Sequence, residues 1–373
     1  MSVRSLREGP LGPPPRSALV VSLRFLGDAL LTTPLVHALK QRHPQCQVDA
    51  LVFRGTEGVF AGNPDLRCVI GVPERPSRSE LRAILRALWR RYDLAVVTQP
   101  GTRPHLFGWA AGRYRVGLVP SEPGKAWWKK WLAHRHAPFD GAEARVLENQ
   151  RLTSLLGIDA APVVVAPSAG EDAAQSSAHV GFDVTRQPFA VVHAAPRWVY
   201  KRWTDDGWRS LIAALARRGL RVVMTGGPGD AERGYLDRIL AGTDPAGCVR
   251  IDGRLSFGQT ADLLRHARLY VGPDTATTHL AAACGTPTLA LYGPTDPRIW
   301  GPWPARDGRR YERVAPLQRR GNVALLQNPA FACVPCQLEG CERHRESASA
   351  CLDELPVQRV LDAARHLLGD AAP

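Results

Sequence analysis

An apolar run, Arg268 to Val271, ends in Gly272-Pro273, and Asp274-Thr275 then opens a helical stretch that reaches Cys284. A buried strand that turns directly into a helix belongs to a parallel sheet whose faces are covered by helices. The turn also aims backbone N–H groups and the positive end of a helix dipole at whatever lies beyond the strand, which suits an anion. A second device of this kind, Phe189 to Lys201, precedes it, and a third, Ser22-Leu23-Arg24-Phe25-Leu26-Gly27-Asp28, lies near the N-terminus. Together they point to a two-domain chain that handles a nucleotide-linked phosphate.

At 373 residues the chain is too long for one ordinary core, and two α/β domains are expected. A hydrophobic share of 45% with 22% charged residues fits a soluble globular protein. No apolar run reaches the roughly 18–20 residues of a membrane span. Met1 to Arg16 has no apolar stretch before Pro13-Pro14-Pro15, so no signal peptide is read and a cytoplasmic location is expected. The formal net charge of +13 and pI near 9.8 speak of partners rather than fold. No nucleic-acid-binding motif accompanies that charge, so nucleic acid is not expected and an anionic lipid or phosphorylated glycolipid is the better candidate. The segment from Lys125 to His136 interleaves Trp127, Trp128 and Trp131 with basic residues. It reads either as a membrane-interface segment or as a surface helix with Trp packed beneath it.

Strand and helix patterns alternate through the first half. Strands are expected at 18–23, 47–53, 67–72, 93–98 and 114–119, and helices at 28–42 and 79–91, the latter capped by Ser77-x-x-Glu80. The second half repeats the theme, with strands at 189–194, 221–225, 249–252, 268–271 and 288–292. Helices fall between them, including one capped by Ser256-x-x-Gln259. The expected organisation is a disordered lead-in over 1–16, a Rossmann-like domain over 17–160 and a linker over 161–187, rich in Ala, Pro, Ser and Gly. A second Rossmann-like domain with a Cys-rich tail covers 188–355, and a C-terminal helix over 356–373 is placed as returning towards the first domain.

Three loops carry candidate chemistry. Gly226-Gly227-Pro228-Gly229-Asp230 follows a strand but lacks the G-x-G-x-x-G spacing, so plain turn chemistry competes with a nucleotide contact. Asp28 sits just past the first strand, where a carboxylate either caps a helix or serves as a general base beyond a strand's carboxyl end. Lys201 lies in a basic, aromatic loop past another strand end, either solvated or a counter-charge for a leaving diphosphate.

The run Phe25-Leu26-Gly27-Asp28-Ala29-Leu30-Leu31-Thr32-Thr33-Pro34 resembles the N-terminal signature of the lipopolysaccharide heptosyltransferases, glycosyltransferase family 9. The likeness continues through Arg197-x-x-x-Lys201-x-Trp203, Gly272-Pro273-Asp274-Thr275-Ala276-x-x-His279 and Leu291-Tyr292-Gly293-Pro294-Thr295-Asp296. The details are most similar to the heptosyltransferase III branch. The resemblance implies a GT-B fold, α/β, with two Rossmann-like doubly wound domains and an interdomain cleft. It implies inverting transfer of heptose from ADP-heptose to the inner core of lipopolysaccharide, with no catalytic metal. Partners would be the donor, the core and lipid A acceptor, and the cytoplasmic face of the inner membrane. Carried over by position, Asp28 would deprotonate the acceptor hydroxyl and Lys201 would stabilise charge on the leaving ADP. Arg24, Gly27 and Thr32 would bind the acceptor. His193, Arg197, Gly226, Gly227, Gly272, Asp274, Thr275, Ala276 and His279 would bind the donor. Relatives commonly carry a hydroxyl after the strand beginning near Phe189, where this chain has His193-Ala194-Ala195-Pro196.

Two other readings fit the same fold: another GT-B enzyme using a different nucleotide sugar, such as a sugar-nucleotide epimerase, and a binding protein that has lost transfer. Of the eight cysteines, Cys46, Cys68, Cys248 and Cys284 stand alone in apolar elements and are expected as buried thiols. Cys333, Cys336, Cys341 and Cys351 crowd together. Four thiolates suit a structural zinc or an iron–sulfur cluster, and the alternatives are reduced thiols or a redox pair.

Overall fold

The computed structural model describes residues 14–241 and 247–369. Most of the lead-in and the last residues of the C-terminal segment lie outside this range. The chain divides into two compact units, with the boundary between Val165 and Ala166.

The first unit holds one six-stranded parallel sheet. Its strands are β1 (Ser17–Ser22), β2 (Gln47–Phe53), β3 (Cys68–Val72), β4 (Tyr92–Val97), β5 (Gly112–Val119) and β6 (Arg135–Pro138). Its helices are α1 (Leu26–Leu30), α2 (Thr33–Arg42), α3 (Arg78–Leu88), α4 (Thr102–Ala111), α5 (Pro123–Leu132) and α6 (Arg145–Leu155). Side chains alternate across a strand, and β1 shows what this does in a sheet covered on both faces. Ala18 and Val20 pack with Leu35 and Leu39 in one core, while Leu19 and Val21 pack with Leu88 and Phe107 in another. A continuous apolar run is the sequence signature of that double burial. The strand order is β3-β2-β1-β4-β5-β6. The chain therefore winds outward from β1 and returns to lay β4 against β1's other edge, and the ends of β1 and β4 flank the switch point.

The second unit has helices α7 (Ala173–Val180), α8 (Asp205–Arg217), α9 (Asp230–Leu240), α10 (Phe257–His266), α11 (Ala276–Ala283), α12 (Pro297–Trp300), α13 (Ala350–Asp353) and α14 (Val357–Leu367). Its strands are β7 (Phe189–Val192), β8 (Arg221–Met224), β9 (Cys248–Arg250), β10 (Leu269–Pro273), β11 (Thr288–Tyr292), β12 (Leu317–Arg320) and β13 (Val323–Gln327). They pair in the order β12-β13-β11-β10-β7-β8-β9, parallel except for β12. The same reversal occurs, with the switch point between β7 and β10. Ala190, Val192, Trp203, Trp208, Leu211 and Val360 belong to its main core.

The structure differs from the sequence expectations in several places. The stretch read as a linker contains α7, closed at its start by a capping box in which Asp172 accepts from Gln175 N, a device worth about 1 kcal/mol. Buried Asp262 on α10 fastens the same stretch, accepting from Ser168 Oγ at 2.7 Å, Ala169 N at 2.8 Å and Glu171 N at 3.1 Å. Helix α14 packs on α8 within the second unit, with Val360, Ala363 and Ala364 in that unit's core. The helix expected over 28–42 is two pieces, broken at Leu31-Thr32. Cys68 is exposed, because β3 lies at the sheet edge, and Cys248 and Cys284 are half-buried; of the four isolated thiols only Cys46 is fully buried.

Candidate active site

In the first unit, a small cleft lies beyond the carboxyl ends of β1 and β4. It is lined by Ser22, Arg24, Asp28, Thr32, Thr98, Gln99, Phe139, Arg145, Glu148 and Asn149. Asp28 stands in the first turn of α1, whose N-cap is Phe25, so its carboxylate is not the cap. Thr32 is fixed from two sides: its hydroxyl donates to the Asp28 carbonyl at 3.1 Å and is 3.0 Å from Ser22 Oγ. Asn149 Nδ2 donates to the Leu31 carbonyl at 2.9 Å, tying α6 to the α1–α2 break. Buried Arg145 donates to the Gly141 carbonyl at 2.8 Å and stacks on Phe139 at 4.8 Å. Its pKa is lowered by burial, against the opposing fields of Glu148 and Asp28. Burial pushes the Glu148 carboxyl up, while bonds from Asp140 N and the charge of Arg151 act the other way.

In the second unit, the expected residues after β10 converge. Lys201 Nζ lies 2.5 Å from Asp274 Oδ2, Thr295 Oγ1 donates to the same oxygen at 2.8 Å, and Tyr292 OH stands 3.3 Å from Oδ1. Burial pushes the Asp274 carboxyl up, but the Lys201 charge, His279 and bonds from Lys201 and Thr295 outweigh it and hold the group below its ordinary value. Burial lowers His279 to about 4, so its imidazole is neutral at physiological pH. Lys201 therefore supplies the positive charge that matters to Asp274 there. His279 Nε2 lies 3.9 Å from Asp274 Oδ1, and its Nδ1 has no hydrogen-bond partner among the described residues. Thr275 caps α11, accepting from Thr278 N, and Ala276 opens the helix beside it. Gly272 is required by close packing, since a Cβ there would run into the Tyr270 hydroxyl. His193, past the end of β7, has Nδ1 2.9 Å from Thr225 Oγ1, and burial lowers its pKa to about 4. Ala195 and Pro196, which offer no hydroxyl past β7, are buried.

The Lys201 loop is braced from far along the chain. Ser349 Oγ donates to the Tyr200 carbonyl at 2.7 Å, Val199 N donates to the Arg345 carbonyl at 3.1 Å, and Trp203 Nε1 donates to the Leu355 carbonyl at 3.1 Å. Exposed Arg197 stacks on Trp198 at 4.7 Å, and Arg345 also stacks on Trp198, at 4.4 Å.

Gly226 and Gly227 form a turn closed by its own helix, in which Gly227 N donates to Glu232 Oε2. That favours turn chemistry over a phosphate cradle. Among the described residues no three metal-ligating side chains are placed to hold an ion, so the structure lends the C-terminal cysteines no support as a metal centre. Burial pushes the Cys351 thiol up to about 12, with the other three cysteines adding to the effect, and Cys341 Sγ accepts from Ala350 N at 3.4 Å.

Sequence reasoning missed Gln99, Arg145, Glu148 and Asn149 in the first cleft, and Thr225, Tyr292 and Thr295 in the second unit. Gln99 had a signal, since it follows a strand that ends at the switch point. Tyr292 and Thr295 lie inside a motif read for its family likeness rather than for contacts.

The family model for glycosyltransferase family 9 (heptosyltransferase) matches residues 81–323. Lipopolysaccharide heptosyltransferase 3 of Escherichia coli is 28% identical over 294 residues, covering 75% of this chain and 84% of that protein. Lipopolysaccharide heptosyltransferase 1 of Pseudomonas aeruginosa is 27% identical over 333 residues, covering 87% of this chain and 86% of that one. Among solved structures, a family 9 glycosyl transferase from Veillonella parvula matches with a TM-score of 0.75 at 17% identity, covering 95% of this chain and 97% of that one. The E. coli ADP-heptose lipopolysaccharide heptosyltransferase II matches with a TM-score of 0.72 at 19% identity, covering 94% and 98%. Two Rossmann-like units, with a carboxylate past the first strand and a part-buried lysine–aspartate pair past β7 and β10, thus accompany a family match over most of the sequence, and the chain belongs to glycosyltransferase family 9.

Proposed function

We propose that this protein is an inverting glycosyltransferase that moves heptose from ADP-heptose to the inner core of lipopolysaccharide. The observation that carries the reading is the pair of half-buried Lys201 with buried Asp274 at the β7/β10 switch point, where open α/β sheets bind their ligands. Asp28 takes the proton of the acceptor hydroxyl as its oxygen attacks the anomeric carbon, and the bonding pair leaves with the diphosphate. Lys201, held in place by Asp274, stabilises the negative charge that grows on that leaving group. The charge is met by a side chain, so chelators are expected to leave turnover unchanged. Donor contacts come from His193, Asp274, Thr275 and His279, and acceptor contacts from Arg24, Gly27 and Thr32. The protein works at the cytoplasmic face of the inner membrane, touching it peripherally through α5. No helix among the described residues is long and apolar enough to cross a membrane.

The test is transfer from ADP-heptose to truncated core acceptors, read by mass. A single heptose increment is expected with the native chain and none with Asp28→Ala, while ADP affinity stays within about threefold, since the base acts on the acceptor side. Near-normal turnover by Asp28→Ala would remove the general-base assignment.

A further inference from the structure

The cleft beside Asp28 contains a donor with nothing to donate to. Gln99 follows β4, the neighbour of β1 at the switch point, and is 6% exposed. Beyond the paired strands the β1–β4 contact continues through Thr98, whose N and Oγ1 both donate to the Val21 carbonyl, at 3.1 and 3.0 Å. Gln99 adds the next bond with its side chain, Oε1 accepting from Leu23 N at 3.1 Å. That bond fixes which way round the amide lies, because Leu23 N–H needs an acceptor. The amide nitrogen is then directed away from the strand, and Nε2 has no hydrogen-bond partner among the described residues. A buried N–H without an acceptor is costly and uncommon in native structures. The neighbouring polar groups do not reach it: the Ser22 and Thr32 hydroxyls bond each other, and Asn149 Nδ2 donates to the Leu31 carbonyl.

We infer that Gln99 is a positioning residue for the acceptor: its Nε2 donates to an oxygen of the acceptor sugar other than the hydroxyl that Asp28 deprotonates. This rests on the reading of the first unit as the acceptor side. A sugar offers several oxygens in fixed relative positions, so one contact at Gln99 sets which hydroxyl meets Asp28. The donor lost or kept there decides the register of the ring and hence the site of attack. Discrimination of this kind is strong when the protein group is buried, because an analogue lacking the oxygen leaves it unpaired.

The variant to test is Gln99→Glu. It keeps an acceptor for Leu23 N–H and the shape of the side chain, but replaces the donor with an acceptor. In the full-length protein, binding of a truncated core acceptor is measured without donor, and transfer is measured separately with ADP-heptose. The inference expects acceptor binding to weaken at least tenfold, acceptor KM to rise by a similar factor, and ADP affinity to stay within twofold. Acceptor binding and KM within twofold of the native values would overturn it, as would equal losses towards acceptor and ADP, and would mean that a water completes the amide. A single-deoxy acceptor series on the native protein gives a reading independent of the variant's folding. One position besides the attacked hydroxyl is expected to lose at least tenfold in binding, and a flat series would overturn the inference. A native protein that binds acceptor and shows both effects, yet transfers nothing, would sink the proposed reaction and leave the Gln99 contact standing. A native protein that binds no core acceptor would sink the Gln99 inference, while ADP binding would still report on the donor side.

Discussion

Asp274 is nearly buried and gathers Lys201, Thr295 and Tyr292 around one carboxylate. An uncompensated charge in that position would be costly, so removing one partner should cost more than the bond alone suggests. For Lys201→Ala the proposed role predicts a fall in kcat of about 10²–10³, as for other groups that meet charge in the transition state, with a smaller change in donor KM. Equal losses in both would mean that the lysine binds ground and transition states alike. Three buried imidazoles predict a pH dependence of stability. Burial lowers His105, His193 and His279 to about 4, whereas in the unfolded chain they protonate near 6.5. Between these values the unfolded state binds more protons, so stability is full above about pH 6.5 and falls as pH descends towards 4. Each group contributes a slope of up to about 1.4 kcal/mol per pH unit in that window. Urea midpoints taken across this range should drop, and His105→Gln, whose amide can still donate to the Leu118 carbonyl, should flatten the slope by about one proton.

Helix α5 answers the two readings of the tryptophan-rich segment by dividing them. Trp128 is half-buried and stacks against buried Lys129 at 5.0 Å, while Trp127 and Trp131, one turn apart, are 69% and 81% exposed. Lys125 and Lys130 are exposed on the same helix. Amphipathic rings beside cations suit the headgroup region of an anionic bilayer. Sedimentation with phosphatidylglycerol vesicles should therefore fall severalfold in Trp127→Ser/Trp131→Ser, with turnover on a soluble truncated acceptor unchanged. Equal sedimentation would leave α5 an ordinary surface helix.

Legibility in the sequence followed the same scale. The capped helices at Ser77 and Ser256 were readable because the capping box is local, and both boxes are present. The apolar strands were readable because double burial leaves few polar positions. Helix α4 was not, since Pro104, His105 and Gly108 depress its local pattern and its stability comes from packing. Strand β12 was missed because Arg319 and Arg320 sit on an edge strand rather than in a buried run, while β13 beside it is buried throughout and was missed with it. In the sites, Asp28, Lys201, Asp274 and His279 were legible through motif order. Gln99 offered only its place after a strand and Arg145 no signal at all, because the placement of both depends on which strands become neighbours.

At the scale of the whole molecule, each unit has a sheet and apolar core of its own. A nucleotide bound only by the second should act on that unit's stability. ADP at a hundredfold excess over its Kd is expected to add about 2.7 kcal/mol to unfolding of the unit it binds. Hydrogen exchange should place that protection in residues 166–369 and leave the amides of β1 and β4 unchanged.

The brace on the Lys201 loop also has a consequence in time. Ser349, which holds the Tyr200 carbonyl, lies 149 residues further along the chain, a stretch that takes roughly 7–30 s to synthesise at ordinary rates. The lysine is thus made long before the segment that fixes its loop. A chain released before that point would carry every residue of the second unit's charge pair and still lack the backbone that steadies it. In this protein the synthesis of Arg345 to Leu355, rather than the appearance of the lysine, marks when its loop is braced.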